Sequence, residues 1–590
     1  MRIRDTMQKT EELSHGQMAD FVEIAMYRFV LMSILAAAYL FAPTPSLLAA
    51  DRTTLYIPLA SDTKPETMRD GRRADQIQYP DDAMGAAASD GWKAYIRLWK
   101  AHHNEPSNPK IRRFLGLPLE KSFHVTAKKG RGAPKLLRWT ANSYAQVDTP
   151  HFVIYSKASE QSSLLVAEDL ERSYWAWTQM FFPLWEAAAQ VSAAISEMPE
   201  DMSVSEFLEE NSSRITIRRK MRVVLLKDAA DYQNTLAREV PGIERSTGYY
   251  DNFNQTIYLY ASGSDDSATR RHELVHQMFR EATRAGLRNK MPAENDGFWL
   301  IEGIAGYFES LWFGKHYATV GGWDSSRLQF ARYRILVNRD QMPMSELRAD
   351  GFTSAQKRSD LSRWYSHAIA QTHQLMESGN PASRLAIYRE LARLYKIRSK
   401  LPSVDQNELL GAADQGIRKF LAIDDEHILS NPIVSPPHQL VLADCQVTAQ
   451  GLEVIPPSSE LDWLDLAGAP ITNGDVSRLV PNPSSLGQLR LERTRIDTAI
   501  APWLSQATNL RELDLSSTRV GDKPIESLAA PNLEVLWLTG STVSDASIDA
   551  ISKMNSLQSV DLQKTKVTPE GINRLRTARP QLEINPLQVN

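Results

Sequence analysis

Leu510-Arg511-Glu512-Leu513-Asp514-Leu515 puts leucine at the first, fourth and sixth places of a six-residue stretch. The same spacing returns at Leu461-x-x-Leu464-x-Leu466, Leu486-x-x-Leu489-x-Leu491, Leu533-x-x-Leu536-x-Leu538 and Leu557-x-x-Val560-x-Leu562, with starting positions 25, 24, 23 and 24 residues apart. Three positions after the last leucine of each unit stand Ala469, Thr494, Thr518, Ser541 and Thr565, and two further on Ile471, Ile496, Val520, Val543 and Val567. One period upstream, Leu440-x-Leu442, Cys445 and Val447 occupy the same slots. Apolar slots recurring in register at this period mean one short strand per unit, each unit burying its apolar side against the next in a curved solenoid. Residues 430–590 are expected to form it.

This pattern resembles the bacterial leucine-rich repeats in which Thr or Cys takes the place of the usual ladder asparagine. The resemblance implies an α/β solenoid whose concave strand face binds a protein or glycan. Cys445, the single cysteine of the chain, then becomes a repeat position and rules out an intramolecular disulfide.

Upstream of the repeats the texture is different. Phe152-Val153-Ile154-Tyr155, Met221–Leu226 and Thr256–Tyr260 read as buried strands, with an amphipathic helix from Ser163 to Phe182 and a turn at Gly248-Tyr249-Tyr250. From Ser267 to about Leu421 the chain reads as helical with short breaks. Strands first and helices second predict an α+β domain over residues 146–425, a small sheet followed by a mostly helical half. Residues 51–145, rich in Pro, Gly and Lys, carry a helix near Trp92–His102 and form an N-terminal region of unknown role. Trp175, Trp177, Phe181 and Phe182 read as core.

The chain has 590 residues, 42% hydrophobic and 23% charged, which excludes low-complexity, collagen-like and largely disordered classes. A formal charge of −4 gives no whole-protein attraction to nucleic acid or anionic membranes. The basic run Arg218, Arg219, Lys220, Arg222 leads into a strand, and Lys128, Lys129, Arg131 and Lys135 sit in a Gly/Pro-rich turn.

Arg28 precedes the 14-residue apolar run Phe29–Ala42, followed by Pro43, Pro45 and the small residues Ala49-Ala50. That order is the charge, apolar core and small-residue exit of a secretory signal peptide, so residues 1–50 are expected to be removed and the product exported, secreted or placed in the periplasm or on a bacterial surface. About 25 polar residues precede the run; a true start at Met18 or Met26 would account for them, and an uncleaved anchor is the alternative.

His272-Glu273-Leu274-Val275-His276 lies in a segment free of Gly and Pro, with Ser267 as a candidate N-cap. Residues four apart share a helical face, so both imidazoles can reach one tetrahedral zinc, with Glu273 beside the open position as base. The five-residue pattern is not specific without a third ligand. Glu302 supplies one, 26 residues after His276, at the centre of Phe298-Trp299-Leu300-Ile301-Glu302-Gly303-Ile304-Ala305-Gly306-Tyr307-Phe308-Glu309. An acid inside an apolar helix is costly to bury unless paired or metal-bound. Gly303 and Gly306 there point to another backbone packed close by.

His-Glu-x-x-His followed by Trp-Leu-x-Glu-Gly-x-Ala-x-Tyr-x-Glu resembles the gluzincin metallopeptidases, most closely the secreted bacterial peptidase-MA-like families, over about residues 146–400. The resemblance implies a zinc-dependent peptidase with one Zn2+ per chain, His272, His276 and Glu302 as ligands and Glu273 as general base. It also implies an oxyanion donor from a later helix, for which Tyr365 in Arg363-Trp364-Tyr365-Ser366-His367 is preferred over His367 and Tyr250. Two departures stand out. The acid that orients a ligand histidine in thermolysin-type members is Gly306 here, leaving Glu309 to supply that support, and the Gly-x-Met-Glu-Asn exopeptidase signature is missing. His102, His103, His124, His151 and His373 have no partner at ligand spacing. The expected function is hydrolysis of a peptide or protein substrate. A binding protein built on a degenerate peptidase scaffold and a zinc hydrolase of non-peptide bonds are the alternatives.

Overall fold

The computed structural model describes residues 52–585, apart from 69–70, 120–125, 196, 212, 217–218, 241, 262–266, 288–289 and 434–435. The expected signal segment, residues 1–50, and His124 lie outside the described residues. No helix among the described residues is long and apolar enough to cross a membrane.

A six-stranded mixed sheet forms one layer. It contains β2 (Thr126–Lys129), β3 (Ala145–Asp148), β4 (Phe152–Ser156), β5 (Met221–Leu226), β6 (Tyr249–Asp251) and β7 (Thr256–Tyr260), in the order β2-β3-β4-β5-β7-β6. The centre, β4-β5-β7, is parallel, and the flanking pairs are antiparallel. Central β5 ends in the apolar run Val223–Leu226 because both its faces are covered there. Val223 and Leu225 enter the main core with α2 (Glu160–Met180), whereas Val224 and Leu226 pack on Tyr232 and Leu236 of α3 (Ala229–Leu236). Tyr249-Tyr250, expected in a turn, is instead the edge strand β6. The chain reverses just beyond it, where the Asp251 carboxylate accepts from the backbone N–H groups of Phe253 and Asn254 at 3.0 and 2.9 Å.

The helical half follows, with α4 (Ser267–Glu281), α5 (Phe298–Phe308), α6 (Ser326–Arg332) and α7 (Leu361–Glu377). Strands then helices give the α+β arrangement expected. Ser267 is the first residue of α4 rather than its cap. The helical run is also broken by two strands, β8 (Trp312–Phe313) and β9 (Tyr317–Gly321). These pair with β1 (Arg52–Tyr56) in a second, three-stranded sheet, β1-β9-β8.

That pairing ties the N-terminal region to the rest. The expected boundary at residues 145/146 falls inside β3, and helix α1 (Asp90–Asn104) buries Trp92, Tyr95 and Trp99. Trp92 stacks near Phe182 and Tyr388 with centroids 6.3 and 6.1 Å apart, and Trp99 meets Trp175 at 5.3 Å. Leu55, Trp92, Tyr95, Trp99, Phe114 and Val147 share this core because α1 is a strongly aromatic amphipathic helix. Trp175, Trp177, Phe181 and Phe182 are buried in it, as expected.

The repeats form a seven-stranded parallel sheet: β10 (Gln439–Val441), β11 (Trp463–Asp465), β12 (Gln488–Arg490), β13 (Glu512–Asp514), β14 (Val535–Trp537), β15 (Ser559–Asp561) and β16 (Glu583–Asn585). Leu440, Leu464, Leu489, Leu513, Leu536, Val560 and Ile584 lie in register through the ladder. The seventh strand was not read from the sequence, since its unit ends before the later slots. Each turn out of a strand passes through positive φ at the residue preceding the ladder slot: Asp444, Gly468, Arg493, Ser517, Gly540 and Lys564. In the slot itself, Thr494, Thr518 and Thr565 donate to the carbonyls of Leu491, Leu515 and Leu562 at 2.7, 2.6 and 2.7 Å. Cys445 places its thiol 3.8 Å from the Leu421 carbonyl.

The ladder makes three stability predictions, each read by urea or thermal unfolding. Cys445→Thr leaves stability unchanged or raises it by about 1 kcal/mol by gaining a hydroxyl hydrogen bond, whereas Thr518→Val lowers it by about as much. Gly540→Ala costs about 1 kcal/mol through left-handed backbone strain, because the added methyl meets only ordinary contacts.

Candidate metal centre

Helix α4 carries His272, Glu273 and His276 across the bottom of the sheet, and α5 crosses it with Glu302. What lets α5 sit where it does is the packing of its two glycines on α7. A Cβ at residue 303 would overlap the Thr372 hydroxyl and stand 2.8 Å from the Ala368 carbonyl, and one at residue 306 would stand 2.5 Å from Ile369. The close backbone approach expected from these glycines is therefore α5 against α7. It also delivers Tyr365, on α7, to the same side as Glu302.

Three side chains converge where α4 meets α5. His272 Nε2 lies 3.4 Å from Glu302 Oε2, and His276 Nε2 lies 3.8 Å from Glu302 Oε1. The two imidazoles stand edge to face with centroids 5.0 Å apart. One ligand atom from each of His272, His276 and Glu302 lies within 4.8 Å of the others, and among the described residues no other cluster of three His, Cys, Asp or Glu could hold a metal ion. Glu302 is only 8% exposed, at the middle of a helix whose every residue is buried.

The far side of His272 is held too. Its Nδ1 is 2.8 Å from Glu309 Oε1. Donation from Nδ1–H to that carboxylate makes Nε2, on the Glu302 side, the nitrogen that could offer a lone pair to a metal once deprotonated. Glu309 follows Glu302 by two helical turns, so it takes the role that Gly306 cannot.

The electrostatics describe a place that wants positive charge. Burial opposes ionisation of His272, but hydrogen bonds to Glu302 and Glu309 raise it well above the ordinary histidine range. Burial pushes His276 down to about 4, a neutral imidazole with a lone pair to offer. Burial would raise Glu302, yet His272, His276 and the Tyr365 hydroxyl hold it below the usual carboxylate range. A cation at the convergence point would satisfy these groups in place of a proton on His272.

Glu273 lies between the cluster and the sheet edge. Burial pushes its carboxyl up to about 7, against the pull of His272. The backbone of Tyr250 also pulls against burial, and a Cβ at residue 248 would stand 3.0 Å from its Cγ. Edge strand β6 thus fixes this carboxylate from the other side.

Of the three oxyanion candidates, only Tyr365 is brought to the cluster: the Glu302 charge raises its phenol, and its hydroxyl accepts from Gln356 Nε2 at 3.4 Å. His367 is engaged with the carbonyls of Arg363 and Asp340, both at 2.7 Å, and Tyr250 donates to Glu281 at 3.3 Å. His102, His103, His151 and His373 are buried in structural contacts elsewhere, as expected. Two neighbours were not read from the sequence. Gln356 caps the end of a short helix without any motif, and Arg327, which pairs with Glu309 at 2.7 Å, follows Glu309 by 18 residues across a break.

A family model described as Leucine Rich repeat matches residues 506–529, which contain β13 and the turn that follows it. The C-terminal solenoid consists of leucine-rich repeats. No curated protein matches the chain.

Gly303→Ala is predicted to lower stability by about 1–3 kcal/mol through overpacking against Ala368 and to shift Glu302 with the helix. Thermal unfolding tests this: the variant melts lower than the parent.

Proposed function

We propose that the chain is an exported zinc-dependent metallopeptidase of the gluzincin type, acting on peptide or protein substrates, with its leucine-rich repeats serving partner or substrate binding. The observation that carries this reading is the convergence of His272, His276 and Glu302, with Glu273 beside them. Two imidazole nitrogens and one carboxylate oxygen with a fourth position open are a catalytic zinc donor set. The separations of 3.4 and 3.8 Å are near the edge of about 3.3 Å that a tetrahedron with 2.0–2.1 Å bonds requires. His272, His276 and Glu302 would hold one zinc ion per chain; when bound, it supplies Lewis acidity toward a scissile carbonyl and a water.

The remaining work belongs to this chain's side chains. Glu273, lifted to about 7, is matched to take a proton from a water near neutral pH and to return it to the leaving amine. Burial and the Glu302 charge keep the Tyr365 phenol well above its ordinary range, so it stays a donor that can face a developing oxyanion. Glu309 keeps the His272 ring in one orientation and one tautomer.

Export rests on the apolar run Phe29–Ala42 and its small-residue exit. The alternative of a binding protein on a degenerate scaffold drew its ground from Gly306; with Glu309 accepting from His272, that ground is weaker. Ester and amide substrates tested side by side distinguish a hydrolase of non-peptide bonds.

Glu273→Gln is expected to abolish cleavage of a proteome-derived peptide pool, followed by mass spectrometry, while retaining one zinc per chain. Parental cleavage rates in that variant would sink the mechanism. Tyr365→Phe is expected to lower kcat by about 100-fold with little change in KM; an unchanged kcat removes Tyr365 from the oxyanion role.

A further inference from the structure

The contacts that begin at His272 continue past Glu309. Glu309 Oε1, which holds His272 Nδ1, also accepts from Arg327 Nη2 at 3.1 Å, and Oε2 accepts from Arg327 Nε at 2.7 Å. The planar guanidinium thus grips both oxygens and fixes the carboxylate plane. Arg327 is half exposed, so burial does not hold its side chain in place. Its helix does.

Arg327 is the second residue of α6, and the same short helix is fastened to the solenoid. Gln329 Oε1 accepts from the Val441 N–H at 2.9 Å, and Arg332 donates to the Val441 carbonyl at 3.1 Å and to the Leu421 carbonyl at 2.9 Å. Val441 belongs to β10, which has a strand neighbour on one side only. The side chains of α6 therefore stand in for the missing strand. Gln329 and Arg332 are buried, so α6 cannot slide without stripping hydrogen bonds inside a dry seam. The helix runs on into a wide turn, Tyr333–Val337, where the Tyr333 hydroxyl accepts from Arg490 Nη1 at 2.7 Å and its ring meets Trp463 at 5.3 Å. Trp463 and Arg490 lie on β11 and β12, on the inner strand face of the repeats.

We infer that Arg327 is a positioning residue for the metal centre, orienting His272 through Glu309, and that the docked solenoid holds Arg327 in place through α6. The inference rests on the metal-centre reading above. Without Arg327 the Glu309 carboxylate keeps the imidazole as its remaining side-chain partner and can turn, and the ring turns with it. The repeats are then part of the support of the metal centre.

The test measures the zinc dissociation constant of the full chain by competition with a chromogenic chelator, together with the visible spectrum of the cobalt-loaded protein. Arg327→Met is expected to weaken zinc binding about 10–100-fold and change the cobalt spectrum, with Arg327→Lys recovering part of the loss. Tyr333→Phe, which removes only the hydroxyl that meets Arg490, is expected to weaken zinc binding about threefold in the parent and not at all in the Arg327→Met background. Arg490→Lys provides an independent second variant at the same contact. Parental zinc affinity and cobalt spectrum in Arg327→Met overturn the inference and leave the metal-centre reading standing. An equal Tyr333→Phe loss in both backgrounds overturns the role of the solenoid. A parent chain that binds no zinc overturns both readings before any variant is compared.

Discussion

A carboxylate at the centre of an apolar helix is the constraint on which the rest of the helical half depends. Every residue of Phe298–Phe308 is buried, and Glu302 cannot stay charged there without partners. Its partners come from two directions, His272 and His276 from α4 and Tyr365 from α7. Each demands a close helix crossing. Gly303 and Gly306 permit one crossing, and the apolar face of α4, with Leu274, Val275, Met278 and Phe279, fills the other. The polar cluster is therefore the reason three helices pack as tightly as they do, and the packing in turn keeps the cluster from relaxing.

The same logic explains why so much of the site was legible. His272, Glu273 and His276 are local in sequence, and helical periodicity alone puts the two imidazoles on one face. Glu302 announces itself because an acid in an otherwise apolar run breaks the pattern. Glycine at two places in that run signalled a neighbouring backbone, though not which one. The strands Met221–Leu226 and Thr256–Tyr260 were legible to the residue, because β-branched and apolar runs bounded by turn residues have few other outcomes.

What escaped was set by contacts between distant segments. Arg52–Tyr56 pairs with Tyr317–Gly321, far away along the chain, and nothing in either stretch names the other. Tyr249–Asp251 looked like a turn because glycine precedes it; pairing with Thr256–Tyr260 made it a strand. Arg327 belongs to the same class: an ordinary arginine by composition, it gains a role only from where α6 is placed. The N-terminal region seemed separate because its Pro, Gly and Lys content hides one strongly aromatic helix, and that helix finds its partners among the rings of Phe182, Trp185 and Tyr388.

The unequal ends of the solenoid bear on how such a molecule can change over generations. The seam draws on Val441, Trp463 and Arg490, all within the first three strands, whereas β15 and β16 make no part of it. Neighbouring strands stack about 4.8 Å apart. Duplicating or losing one unit near the carboxyl end would lengthen or shorten the reach of the inner face by about that step, leaving the junction with α6 untouched. Reach is thus a quantity that can drift in whole repeats while the seam and the side-chain cluster upstream stay fixed.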